Sequence, residues 1–249
     1  MTDTHDPMRA ARDAMRPVLA KRFYKQASVG ERAGVFALLL DGKPAKTPAK
    51  HALAMPSRAL AEAVAAEWAA QGERIDPATM PLTRLVHAAI DRVADDAAAV
   101  AEEIAKYAGS DLLFYRAAEP PGLVAAQAEH WDPVLAWAEQ VWGVRLVRSE
   151  GMRHVAQPDA LLAAVRAEVA RFAPPFALAA LASLTNLSGS ALLALALARG
   201  RLTVGAAWAA AHVDEDWNVK RWGEDALAAR LRATRFAEFK AAARMLELL

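Results

Sequence analysis

The 249-residue chain is 55% hydrophobic and 24% charged, which excludes a disordered polymer and allows one large domain or two modest ones. Thirty basic against 29 acidic residues leave a net charge of +1, so no global field draws the whole molecule to nucleic acid. Cysteine is absent, which excludes disulfides, thiolate zinc sites, iron–sulfur clusters and a cysteine nucleophile, and fits a reducing compartment.

The first twenty residues mix Arg with Asp and lack the apolar core of a secretory signal, so residues 1–20 are expected to be a flexible N-terminal segment. Charge is uneven along the chain: residues 1–58 hold 11 basic and 5 acidic residues, and the remainder holds 19 and 24. The character of the sequence changes at the same place. KRFYKQASV and GVFALLL are β-rich, Leu40-Asp41-Gly42-Lys43 carries a hairpin signal, and Pro44, Pro48 and Pro56 punctuate short strands. From Ser57, a good N-cap, the pattern turns helical, with Leu60, Val64 and Trp68 at helical spacing. Gly72 ends that helix, and Asp76-Pro77 and Pro81 mark a linking loop. Helices are expected over 82–93 and 95–108. Another opens at Pro120-Pro121, kinks or restarts at Asp132-Pro133 and closes at Gly143. A short extended connection precedes a helix from Asp159 to Phe172. Residues 176–198 carry no charge and are long enough to cross a bilayer. Polar and small residues crowd their middle, however, so the expectation is one or two buried helices breaking near Gly189. A single helix is then expected from Thr203 to Gly223, and a last one over about 224–247. The fold class is therefore α+β: a small N-terminal antiparallel β-rich domain at 21–57, then a larger all-α domain at 58–249.

No reactive centre is legible. The six histidines form no HExxH pair or other compact ligand cluster, so no metal and no cofactor is expected. There is no Walker A or GxGxxG pattern, and Ser188-Gly189-Ser190 lacks the flanking glycines of a nucleophile elbow. Asp95-Asp96 and Glu102-Glu103 fit a solvated helix face. Lys43, Lys46 and Lys50 make a small basic loop, either solvated or in contact with an acidic partner. With no aromatic RNA-binding motif and no basic recognition helix, no nucleic acid partner is expected.

The segment TVGAAWAAAHVDEDWNVKRWG, Thr203–Gly223, is the most informative. Wound as one helix, it places Trp208, His212, Glu215, Val219 and Trp222 within an arc of about 80°, with Val213 and Trp217 opposite. One apolar face can meet the core; the other needs a second surface. A carboxylate among tryptophans must reach a cation of its own chain, extend to water or await a donor on a partner. Trp68, Trp131, Trp137 and Trp142 are expected in the core.

These residues resemble a known family. The blocks KRFYK at 21–25, LDGKPAKTPAKHALAMPS at 40–57, AVAAEWAAQGERIDPATMPLTRL at 63–85, SDLLFYRAAEPPGLVAAQAEHWDPVLAWAEQVWGV at 110–144 and VDEDWNVKRWG at 213–223 resemble, in order, the assembly chaperones of the catalytic head of F-type ATP synthase that bind the unassembled alpha subunit. The resemblance implies the same α+β architecture and a non-catalytic role: holding the alpha subunit, its subunit interface covered, until the beta subunit arrives. It also implies a mitochondrial-matrix location in eukaryotes and a cytoplasmic one in bacteria. The family's acidic position ahead of the penultimate helix's Trp-Gly looks like Glu215. The neighbouring Asp214 and Asp216 leave the register open by one residue, and the helical face selects Glu215. The family's Glu-Trp pair looks like Glu67-Trp68. The expected partner-binding set is thus Glu215, Asp214, Asp216, Trp208, Trp222, Trp68 and Glu67, on a monomer with no membrane span. The rival readings are a helical enzyme whose site is assembled only in three dimensions and a membrane-associated factor using 176–198.

Overall fold

The computed structural model describes residues 18–249 apart from Met152; most of the expected flexible N-terminal segment lies outside the described residues. Strands β1 (Ala27–Arg32) and β2 (Val35–Leu40) pair antiparallel, Ala27 with Leu40 through Arg32 with Val35. The two-residue loop between them, Ala33-Gly34, has positive φ at both positions. The expected Asp41-Gly42 turn, also positive at both, folds β3 (Lys43–Pro44) back on β2, with Leu40 opposite Lys43. Both turns have the mirror-image geometry that matches strand twist. β4 (Ala54–Met55) takes the other end of β2.

The sheet's buried residues Leu38, Leu40, Leu53 and Met55 pack with Leu60 and Val64 of α1 (Arg58–Ala69). Ser57 caps α1 as expected, its Oγ accepting from the Leu60 amide at 3.1 Å. The same core takes in Leu82 and Val86 of α2 (Pro81–Ala88). Packing therefore continues past residue 57 into the first two helices, because a sheet with one apolar face needs a helix to cover it. α2 runs into a π-helical turn, Ala89–Val93, and α3 (Ala97–Tyr107) follows.

The second core is helical. α4 (Pro121–Trp142) is continuous through Pro133, where a kink or restart was expected. Pro133 is exposed, so the carbonyl it leaves without an amide can meet water, while Trp131, Val134, Leu135 and Ala138 seat both halves in the core. β5 (Tyr115–Arg116) and β6 (Ser149–Glu150) form a short parallel pair. α5 (Asp159–Val169) follows, and the uncharged stretch folds as two buried helices, α6 (Pro175–Ser188) and α7 (Ala191–Ala198). They break at Gly189, whose φ of 69° ends α6. No helix among the described residues is long and apolar enough to cross a membrane. Buried Asp111 accepts from the Leu113 and Leu192 amides at 3.1 and 3.0 Å, tying the approach to β5 to the start of α7. Burial pushes its carboxyl up to about 6, against the hydrogen bonds it accepts.

The expected single helix from Thr203 to Gly223 is two helices: α8 (Val204–Ala211), capped by Thr203, and α9 (Val213–Trp222). Between them His212 has φ −124° and ψ 23°, outside the helical range. α10 (Ala226–Leu248) follows a short loop, is capped by Asp225, and packs on α6.

Candidate partner-binding hairpin

The break at His212 has a tertiary cause. Trp131 of α4 donates its indole N–H to the Ala210 carbonyl at 2.6 Å, and the His212 amide bonds Ala209 one residue short of the α-helical ladder. The turn separates the axes of α8 and α9, so the arc expected for a continuous helix does not exist. Trp208 is 7% exposed; its ring lies 3.8 Å from His212, 5.0 Å from Phe236 and 5.3 Å from Phe239. The expectation that Trp208 anchors a partner is corrected: α10 covers it, and it is a core residue. His212, also buried, donates Nδ1–H to the Trp208 carbonyl at 2.8 Å. Burial holds its pKa below the usual histidine range, against that hydrogen bond and the Glu215 charge.

α9 itself is pinned at three points. Gln127 of α4 donates to Asp214 at 2.7 Å, and Arg232 of α10 pairs with Asp216. Trp217 lies on Gly122 at the start of α4, so closely that a Cβ there would fall 2.3 Å from its ring. Asp214 and Asp216, both expected to face a partner, are thus occupied within the chain.

Glu215, between them, is exposed and makes no hydrogen bond or ion pair with any described residue. It lines a groove of ≈ 430 Å³ between α9 and α10 with Asn218, Val219, Leu231, Arg232 and Arg235. Both arginines are engaged elsewhere, Arg232 with Asp216 and Arg235 with the Leu187 carbonyl at 3.1 Å. Around the groove the hairpin exposes Val219 (39%), Trp222 (82%), Leu227 (67%) and Leu231 (60%). Scattered exposed apolar side chains are ordinary; four on one hairpin beside an unpaired carboxylate are not. Glu215 being solvated, it carries none of the burial cost that a carboxylate inside a tryptophan stripe would.

The Glu67-Trp68 pair belongs to the other core. Glu67 accepts from the Leu82 and Thr83 amides at 2.9 and 2.7 Å and from the Thr83 hydroxyl at 2.7 Å. It satisfies the first turn of α2, where amides lack helical partners and the dipole favours a negative charge. Both its oxygens accept within the chain, against the expectation that it faces a partner. Trp68 packs on Tyr24 with centroids 5.5 Å apart.

Leu227, Leu231, Arg232 and Arg235 lie outside the expected set, although Leu227 and Leu231 stand four apart on the last helix, Leu231 between Arg230 and Arg232. That spacing reads equally as core, and only the position of α10 decides. Glu102, expected on a solvated face, pairs with Arg166 through two 2.8 Å hydrogen bonds. Among the described residues no group of three or more metal-ligating side chains is gathered.

Residues 21–139 match the family model described as ATP12 chaperone protein. The chain superposes on solved structures over most of its length. The Atu1473 protein from Agrobacterium tumefaciens, described as a candidate chaperone, is 48% identical with a TM-score of 0.89, over 99% of this chain and 92% of that one. Atp12 from Paracoccus denitrificans is 42% identical with a TM-score of 0.85, over 92% and 98%. An aspartate-to-lysine mutant of the P. denitrificans protein matches equally, with a TM-score of 0.85. The chain therefore belongs to the ATP12 chaperone family, a family of ATP synthase assembly chaperones.

Proposed function

We propose that this protein is a non-catalytic chaperone that binds the unassembled alpha subunit of the ATP synthase catalytic head and covers its subunit interface until the beta subunit displaces it. Alpha and beta subunits bury large apolar faces against each other, so a lone subunit exposes an aggregation-prone surface. The observation that carries the reading is the α9–α10 hairpin: Val219, Trp222, Leu227 and Leu231 exposed around Glu215, a carboxylate without a partner among the described residues. Tryptophan at such a place concentrates binding energy, and a carboxylate supplies register more than affinity. The hairpin would be the centre of an interface of standard size, roughly 1,600 Å² in total. Moderate affinity suits a holder that must yield to the true partner. The reading includes a cytoplasmic monomer, checked by fractionation and size-exclusion chromatography.

Co-expression with the alpha and beta subunits separately, followed by solubility assay and pull-down, tests it. Selective solubilisation and capture of alpha is expected. Glu215→Gln and Trp222→Ala should weaken capture at unchanged folding; equal capture by both variants removes the hairpin from the mechanism.

A further inference from the structure

The basic loop near residue 46 has no use at the hairpin. Lys43 and Lys46 are exposed, and neither ammonium pairs with a carboxylate among the described residues. Both line a groove of ≈ 440 Å³ whose other walls include Phe23, Tyr24, Leu40 and Trp68. The aromatic rings are ordered against one another: Phe23 meets Tyr24 edge-on at 5.4 Å, and Tyr24 meets Trp68 at 5.5 Å. Phe23 nevertheless stays 72% exposed. The charged side chains lining this groove are Lys43, Lys46 and Asp41. The Tyr24 hydroxyl is used, donating to the Trp68 carbonyl at 2.7 Å, but the buried indole N–H of Trp68 has no acceptor among the described residues. The one lining carboxylate, Asp41, already accepts from the Gln26 amide at 2.8 Å and the Lys25 amide at 3.0 and 3.1 Å. A second hollow sharing Tyr24 adds Lys21, Arg22 and Arg74 against a single Glu73. This face is therefore aromatic, donor-rich and positive.

We propose that the groove is a second docking site, for an acidic polypeptide segment that carries an apolar side chain into it. The aromatic walls suit one buried side chain, and the two free ammonium groups suit carboxylates on either side of it. A nucleic acid strand fits less well. Its closely spaced phosphates would have to pass Asp41, whereas a peptide can place its carboxylates singly. Assigning the segment to the chaperone's client rests on the function proposed above; the groove's chemistry does not.

The test uses the full chain, isotope-labelled for NMR. The probe is a capped hexapeptide of alternating Asp, Glu, Leu and Phe, with its Asn/Gln counterpart as control. The acidic peptide should shift the Trp68 indole and the Lys43 and Lys46 amides saturably, more weakly as salt rises. The variant carrying Lys43→Glu and Lys46→Glu should bind about tenfold or more weakly, and Phe23→Ala should also lose affinity. Both lysines are exposed, so folding is not at stake. The proposal falls if the neutral peptide binds equally, if the charge-reversed variant binds unchanged, if shifts gather on the α9–α10 hairpin, or if an oligo-dT strand outcompetes the peptide at these residues. Trp222→Ala should leave this titration intact while reducing capture of the alpha subunit, so the two readings can fail separately.

Discussion

The corner where α1 meets α2 and the hairpin of α9 and α10 each contain a glutamate and a tryptophan that the sequence marks for a partner, and they use them in opposite ways. At the corner, Glu67 accepts three hydrogen bonds from the start of α2, and Trp68 lies against Tyr24. At the hairpin, Glu215 accepts none from the described residues, and Trp222 has four-fifths of its surface in solvent. Residue type does not distinguish them. What does is whether another element supplies donors: α2 presents its unpaired amides to Glu67, while no described residue donates to Glu215. Trp208 makes the contrast sharper, since α10 buries it at the hairpin's own root.

The largest expected effect separates the two tryptophans. Trp208→Ala removes a ring packed on His212, Phe236 and Phe239 and should cost about 4 kcal/mol of stability. Trp222→Ala should leave stability within about 0.5 kcal/mol, as exposed substitutions do, while weakening client capture roughly thirtyfold for a loss of about 2 kcal/mol. Chemical denaturation paired with pull-down reads both. Similar stability losses would erase the distinction between root and hairpin. The glutamates should differ next. Glu67→Ala strands two amides of α2 and should cost about 3 kcal/mol, whereas Glu215→Ala should unfold with the wild type. Thermal melts suffice to compare them.

The sequence shows these differences only where they are local. Ser57, Thr203, the Asp41-Gly42 turn and the stops at Gly143 and Gly189 are legible because each acts through its own backbone or that of its immediate neighbours. The break at His212 is not. No proline or glycine stands there, and its cause, the Trp131 indole bonded to Ala210, lies 79 residues away. Taking α8 and α9 as one helix put Trp208 beside Trp222 and made one stripe of two surfaces. That Glu215 is unpaired is legible only in three dimensions, where the nearby Arg232 and Arg235 turn out to be engaged with Asp216 and the Leu187 carbonyl. The same limit hid Leu227 and Leu231, whose spacing suits a core helix.

A smaller effect tests how α9 is held. Gly122→Ala would drive a Cβ into the Trp217 ring, and relieving that overlap should cost about 2 kcal/mol. α9 would move off α4 and the Gln127–Asp214 hydrogen bond would lengthen. Capture should fall although no exposed hairpin residue has changed. If capture stays at the wild-type level while stability drops, α9 need not be rigid and the pinning contacts serve folding alone.

The smallest expected effect is on pH, and it acts at the root. Burial lowers the pKa of His212, and also that of His87 in α2, so each is more readily protonated in the unfolded chain. Stability from these groups is therefore fully present above the ordinary histidine range, about 6.5, and is lost as pH falls through it toward the folded values. His212 is faced by Glu215, which favours the charged form, and by Arg232 and Arg235, which oppose it. Glu215→Gln removes the one favourable charge and should steepen the loss of stability between neutral and mildly acid pH. Asp216→Asn acts through Arg232 and should change the profile less. Denaturation at a series of pH values distinguishes the two. An identical profile for Glu215→Gln and wild type would mean that Glu215 is too well solvated to reach His212.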